Sequence, residues 1–398
     1  MSDSREPNGQ YEREAAALHN ESTAATSGQA IALDFSSVWP MESTMQADGA
    51  LAGQNDSFVY RRDGHPGDRE LTAKLAMLHG GEAAVLTAQG MSAIAAICLA
   101  ELSPGAKVWI ADELYGRTQR LMLGDMKKWG VEVVEFSATD STALDRLAAD
   151  QCALVVVETI SNPRLGVTDI RRVVAAAKKA GAKTVVDNTF ATHAICRPLQ
   201  LGADFVVESL GKIVCGHSDS MLGLVACGCK ADADSLATTI STFGMASNPM
   251  DCYMTHRGLL SMAVRIDRSC DNSAKLASAL GAVSAVANVD YPGLPNHPQH
   301  ALATEQLGGR FGWMLTIELH PEFGDADKLF QSLAPEILFV PSLGDVATTV
   351  SHPFSTSHRS MPAQQREQLG ISPRTVRISC GLEPTDWLVE RFTRALDS

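Results

Sequence analysis

Between about residue 70 and residue 225, short β-branched runs alternate with helical stretches, and this alternation restricts the chain to an α/β fold with a mostly parallel central sheet flanked by helices. The runs cover 83–87, 107–110, 131–136, 154–157 and 184–187, and crossover helices must join them. One unit reads directly. After Val157 the segment Ser161-Asn162-Pro163 turns, Thr168 or Asp169 caps a helix, Val173, Val174 and Ala177 give it an apolar face, and Gly181 ends it. The next strand delivers Asp187 at its carboxyl end, the edge where open parallel sheets bind ligands.

Past residue 250 the texture changes. A long helix is predicted from His256 to about Gly281, followed by antiparallel signals at 313–319 and 375–379 and a last helix from Thr385 to Leu396. The division expected is an N-terminal arm over 1–60, a large domain over 61–255 and a smaller α+β C-terminal domain over 256–398. The first thirty residues hold few large apolar side chains and are expected to be partly disordered or draped over a neighbour.

Charge narrows the partners. Lys plus Arg total 33 against 46 Asp plus Glu, a net charge of −13, so nucleic acid and anionic membranes are excluded as partners and a small molecule is expected. Nine cysteines without a Cys-x-x-Cys pair read as reduced thiols. With no signal-peptide core and no stretch able to span a bilayer, the expected location is cytoplasmic. His217 and His352 have no metal-ligand spacing and read as structural, so no metal is expected.

Five positions carry chemistry. Lys212 follows the apolar run around Phe205-Val206-Val207, where desolvation lowers an amine's pKa and favours imine formation with an aldehyde; on this segment alone it reads equally as a surface lysine. Asp187 ends another apolar run and needs a cationic partner, which a protonated pyridine nitrogen would supply, or else it caps the Asn188-Thr189 turn. Gly90 and Met91, within Gln89-Gly90-Met91-Ser92, lie between a strand and a helix expected from Ala93 to Leu102, an arrangement that binds phosphate through free N–H groups or else merely turns the chain. Tyr115 falls between this loop and Asp187, an order that suits one phosphorylated aldehyde.

Val186-Asp187-Asn188-Thr189-Phe190, Arg197-Pro198-Leu199 and Ser209-Leu210-Gly211-Lys212 through Gly216-His217-Ser218-Asp219 resemble the signature of the trans-sulfuration (Cys/Met metabolism) enzymes dependent on pyridoxal 5′-phosphate (PLP). From Tyr60 to the C-terminus the resemblance also covers Tyr60-Arg61-Arg62, Ser161-Asn162-Pro163, Arg257-Gly258-Leu259, Ser342-Leu343-Gly344, Ser351-His352-Pro353 and Val376-Arg377-Ile378-Ser379.

The resemblance implies PLP fold type I and a homotetramer whose active sites are shared between subunits. Lys212 would carry the cofactor as a Schiff base and shuttle protons, Tyr115 would stack on the ring, Asp187 would hold the ring nitrogen and Asn162 the ring hydroxyl. Phosphate would be held by Gly90, Met91 and Ser209, with Tyr60 and Arg62 reaching in from a second subunit. Arg377 would take the substrate carboxylate as a bidentate pair, with Ser342 beside it. The implied reaction is β/γ-elimination or γ-replacement on a sulfur-containing or O-activated homoserine-type amino acid, of the cystathionine γ-synthase or γ-lyase type.

The sequence departs from that pattern at five points, one of them His65 in place of asparagine. Gly211 stands where relatives commonly have threonine, which removes a hydroxyl from the phosphate site, and Gln89 stands in place of serine. Ala347 replaces a glutamate that cystathionine-handling relatives often carry, which favours a sulfhydrylase acting on an acylated or phosphorylated homoserine as the alternative. Arg117 stands where many relatives have glycine and methionine γ-lyases have cysteine, and is expected to face an anionic distal group or to form a surface ion pair. A non-catalytic relative is disfavoured by the joint presence of Lys212, Asp187, Tyr115 and Arg377.

Overall fold

The computed structural model describes residues 7–18, 31–359 and 361–397, so the expectation for the first thirty residues falls partly outside the described residues. Within them, Pro7–Ala17 form a helix docked on the body of the chain. Ala17 is buried, its carbonyl accepts from Lys74 Nζ at 3.2 Å, and Glu14 lies 3.6 Å from Arg197.

Seven short strands build the main sheet: β1 (Ala83–Thr87), β2 (Lys107–Ala111), β3 (Glu132–Phe136), β4 (Leu154–Glu158), β5 (Lys183–Asp187), β6 (Phe205–Ser209) and β7 (Gly223–Cys227), in the order β1-β7-β6-β5-β4-β2-β3. Neighbours from β3 to β6 run parallel, as the alternating pattern requires, and β7 inserts antiparallel to both β1 and β6. The parallel register sets Glu158 beside Asp187 at the carboxyl ends of β4 and β5. Every residue of β4 is buried, which explains its unbroken apolar run.

A second, five-stranded sheet contains β8 (Val286–Asp290), β9 (Met314–Leu319), β10 (Leu338–Phe339), β11 (Thr349–Ser351) and β12 (Thr375–Ser379), in the order β10-β11-β12-β9-β8. β12 is central and antiparallel to both β9 and β11, which places Arg377 opposite Thr316 and Ser351. A separate apolar cluster, including Leu315, Ile317, Val376 and Phe392, lies under this sheet.

The single helix expected from His256 to Gly281 is two helices, Pro249–Leu259 and Met262–Leu280. The break frees the Gly258 carbonyl, and buried Arg265 donates to it at 2.8 Å while also donating to Ile213 and Val214 carbonyls at 2.6 and 2.8 Å. One guanidinium thus ties the helix break to the backbone directly after Lys212. Gly216, at φ +80°, is the residue that lets it pass, since a Cβ there would meet Arg265 Nη1 at 2.1 Å.

Alternation along β6 turns Ser209 toward the ligand edge and Glu208 to the opposite side. There Glu208 meets His79 Nε2 at 3.4 Å with both side chains fully buried, and it accepts from Asn188 Nδ2 at 3.1 Å. Removing the Glu208 carboxylate leaves the buried Asn188 amide and His79 ring short of a partner, at a cost of roughly 1–3 kcal/mol. Glu208→Ala is therefore expected to lower the unfolding free energy by about that amount. Urea unfolding followed by circular dichroism measures it, and a loss under about 1 kcal/mol would mean the pair holds nothing together.

Candidate active site

A cavity of about 680 Å³ opens at the carboxyl ends of the parallel strands and brings together Gly90, Met91, Tyr115, Arg117, Asn162, Asp187, Ser209, Lys212, Ser342 and Arg377. Tyr60 and Arg62 are not among its walls. Tyr60 is exposed, Arg62 lies over its ring at 5.1 Å, and Arg62 Nε donates to Ser241 Oγ.

Lys212 is the lysine in the cavity wall. Its Nζ donates to Ser342 Oγ at 2.9 Å. Burial lowers its pKa, and the nearby Arg377 guanidinium adds to the effect, so the amine is a readier nucleophile and base than a surface lysine. Asp187 accepts from the Thr189 hydroxyl at 2.6 Å and N–H at 3.0 Å. The Thr189 hydroxyl in turn accepts from the Ser209 N–H at 3.0 Å, coupling β5 to β6 at the site. Burial raises the Asp187 pKa despite the Thr189 bonds, and no basic side chain among the described residues pairs with it. Glu158 is pushed well up, first by burial and then by Asp187 beside it, while its Oε1 accepts from the Tyr115 N–H at 2.6 Å and fixes that residue's backbone.

Arg377 is held on three sides. Nε donates to Ser351 Oγ at 3.1 Å, Nη1 to Asn162 Oδ1 at 2.8 Å and Nη2 to the Ser342 carbonyl at 3.4 Å. Burial pulls its pKa down to about 10, which leaves it cationic at neutral pH. His358 Nε2 lies 3.1 Å from the Asn162 carbonyl and supports the same corner. The sequence reading missed Glu158, Thr189 and Ser351 as positioning groups, although each lay inside or beside a segment it had singled out.

The residues present fit PLP. The helix Gly90–Glu101 begins with N–H groups that have no intrahelical partner, and Gln89 at its N-cap supplies no side-chain acceptor. A Cβ on Gly90 would sit 3.0 Å from Ser209 Cβ, a tight contact that glycine avoids where this helix start approaches Ser209. Phosphate donors, a carboxylate lacking a cation and a desolvated lysine thus converge on one cavity.

Gly211 also has a structural reason: a Cβ there would lie 2.3 Å from the Ser220 carbonyl oxygen. Gly211→Thr is accordingly expected to destabilise the chain by about 1–3 kcal/mol through overpacking, with no gain in PLP affinity. Thermal unfolding and titration of the cofactor-free protein with PLP check both; tighter PLP binding at unchanged stability would contradict the steric account.

His217 and His352 are both engaged locally, His217 Nδ1 with the Cys215 carbonyl at 2.6 Å and His352 Nε2 with the Pro373 carbonyl at 2.9 Å. Spacing gave no metal signal, yet the fold gathers two groups whose ligand atoms lie within 4.8 Å of one another, His65-Asp68-Cys252 and His79-His193-Glu208. Ala347 is exposed, and its N–H donates to Asp345 Oδ1 at 2.9 Å.

Residues 14–397 match the family described as Cys/Met metabolism PLP-dependent enzyme. A cystathionine β-lyase of Lactococcus lactis subsp. cremoris is 35% identical over 348 residues, 87% of this chain and 90% of that protein. An L-methionine γ-lyase of Porphyromonas gingivalis is 33% identical over 366 residues, 91% of each. The solved cystathionine γ-synthase of Xanthomonas oryzae pv. oryzae superposes with a TM-score of 0.89 at 32% identity, covering 97% of both chains. These three similar proteins are named for three different reactions.

Proposed function

Because the chain belongs to the Cys/Met metabolism family of PLP-dependent enzymes and is a trans-sulfuration enzyme, we propose that it eliminates or replaces the β- or γ-substituent of a sulfur-containing or O-activated homoserine-type amino acid at this cavity. The observation that carries the reading is the meeting of the desolvated Lys212, hydrogen-bonded to Ser342, with the triply held Arg377 in one pocket. PLP, when bound, supplies the electron sink that makes Cα acidic.

Lys212 would hold it covalently, Asp187 would face its ring nitrogen, and Tyr115 would cover the ring. Gly90, Met91 and Ser209 would take the phosphate. Asn162 spends Oδ1 on Arg377, which leaves its amide nitrogen to donate to the ring hydroxyl. Arg377 takes the substrate α-carboxylate with two parallel N–H bonds, and Ser351 and Asn162 fix the plane of that fork. Lys212 Nζ, once the substrate's amine has displaced it, would move protons from Cα and Cβ, and Ser342 would orient it. The β- or γ-substituent leaves with its bonding electron pair, after which a thiol adds in its place or water releases a 2-oxo acid and ammonia.

Tyr60 and Arg62, exposed and away from their own cavity, are assigned to the site of a second copy within a homotetramer. Residues 61–255 form the cofactor domain in this reading and 256–398 the C-terminal one; a second apolar cluster confined to residues 276–396 supports a separate C-terminal unit, while the first cluster crosses the boundary through Met262, Ile266 and Trp313. No helix among the described residues is long and apolar enough to cross a membrane, and the nine cysteines are free, which supports a cytoplasmic location.

The test is a panel of cystathionine, methionine and O-acetyl-, O-succinyl- and O-phosphohomoserine given to the PLP-loaded protein with and without thiol. Release of a 2-oxo acid or formation of a thioether is expected from at least one; inertness toward all of them would sink the reading.

A further inference from the structure

Three arginines, Arg117, Arg120 and Arg359, line the cavity away from its floor, and all three are exposed. Arg117 and Arg120 lie on the short helix Gly116–Arg120 directly after Tyr115. Arg359 lies on the segment after Ser357, and the two segments are pressed together: a Cβ on Gly116 would fall 2.4 Å from the Ser357 carbonyl oxygen. Within one copy, none of the three guanidiniums forms an ion pair with a carboxylate among the described residues. The acidic side chains in the cavity wall are Glu158 and Asp187, both at the strand ends, the first committed to the Tyr115 N–H and the second to Thr189.

Unpaired like charges close together repel, and a concave wall concentrates their field on whatever enters. Arg377 on the floor takes the α-carboxylate in the reading above, so these three are left for the other end of the substrate. A neutral acyl group would leave their charge unanswered. Cystathionine would bring its far carboxylate to them, but with an ammonium on the same carbon that cancels the charge and meets no acidic side chain of the wall other than the committed Glu158 and Asp187.

We propose that Arg117, Arg120 and Arg359 form a subsite for an acidic γ-substituent, so that the preferred substrate is a homoserine ester ending in a carboxylate or a phosphate and carrying no distal ammonium. This rests on the assignment of the cavity to homoserine-type amino acids. Arg117 alone drew notice in the sequence; Arg120 and Arg359 join it only through the packing of Gly116 on Ser357.

The experiment compares kcat/KM for O-succinyl-, O-phospho- and O-acetylhomoserine and cystathionine in the PLP-loaded wild type, Arg117→Ala, Arg359→Ala and Arg359→Lys. Expected is a preference of at least about tenfold for one acidic ester over the acetyl ester, carried by KM and shrinking as salt rises. The better of the two acidic esters identifies carboxylate or phosphate as the group bound. Both alanine variants should lose at least about ten times more on the acidic ester than on the acetyl ester, with partial recovery in Arg359→Lys. Equal losses on acidic and neutral esters, or preference for the acetyl ester or cystathionine, would overturn the subsite and leave the wider function standing. Turnover of none of these, in protein that has taken up PLP, would remove both.

Discussion

Lys212→Ala is expected to lose covalent attachment of the cofactor altogether and to lower kcat by about 100- to 10,000-fold, the range over which a positioned acid–base group contributes. Both losses come from one atom, because Lys212 is the lysine in the cavity wall and its Nζ is the basic group beside Ser342. The measurement is the visible absorbance of purified protein before and after borohydride, followed by digestion and mass analysis of the labelled peptide. A label on any other lysine in the wild type would contradict the assignment. Ser342→Ala is a useful companion: it removes the 2.9 Å hydrogen bond but keeps the amine, so it should lower kcat while leaving the covalent label in place.

Arg377→Ala is expected to act on KM. Truncating one side of a buried, hydrogen-bonded charge pair costs about 2–5 kcal/mol, or roughly 30-fold to several-thousand-fold in affinity for the substrate carboxylate. Arg377→Lys should recover only part of this, since an ammonium keeps the charge but cannot make two parallel bonds from one plane. A melting curve separates this from a folding defect, because Arg377 sits in central β12 between β9 and β11. A variant as stable as wild type whose KM is unchanged while kcat falls would show that the guanidinium meets something other than the bound substrate's carboxylate.

Much of the main sheet could be read in advance because its strands are short, apolar on both faces and separated by amphipathic helices. The expected runs at 83–87, 107–110 and 154–157 coincide with β1, β2 and β4 to within a residue. β7 was not read, since the apolar run from Gly223 to Cys227 contains nothing that states its direction; the tight return from Lys212 to Leu222 makes it antiparallel to β6. The helix break after Leu259 was equally silent, because helical periodicity continues through it. At the break the Gly258 carbonyl accepts from the Ser261 N–H at 3.2 Å and from Arg265, which also takes two carbonyls from the Lys212 loop.

Those particulars show how the information divides. Residue type and order along the chain determined the α/β class, the strand ends at which Asp187 and Lys212 appear, and the chemistry those residues bring, because periodicity and desolvation are local properties. Tertiary structure alone decided which groups share a wall. Glu158 reaches the Tyr115 backbone from 43 residues away, Asn162 meets Arg377 across 215 residues, and Arg359 joins Arg117 because Gly116 packs against Ser357. Contacts of that span follow from the close approach of packed backbones, which no local pattern in the sequence encodes.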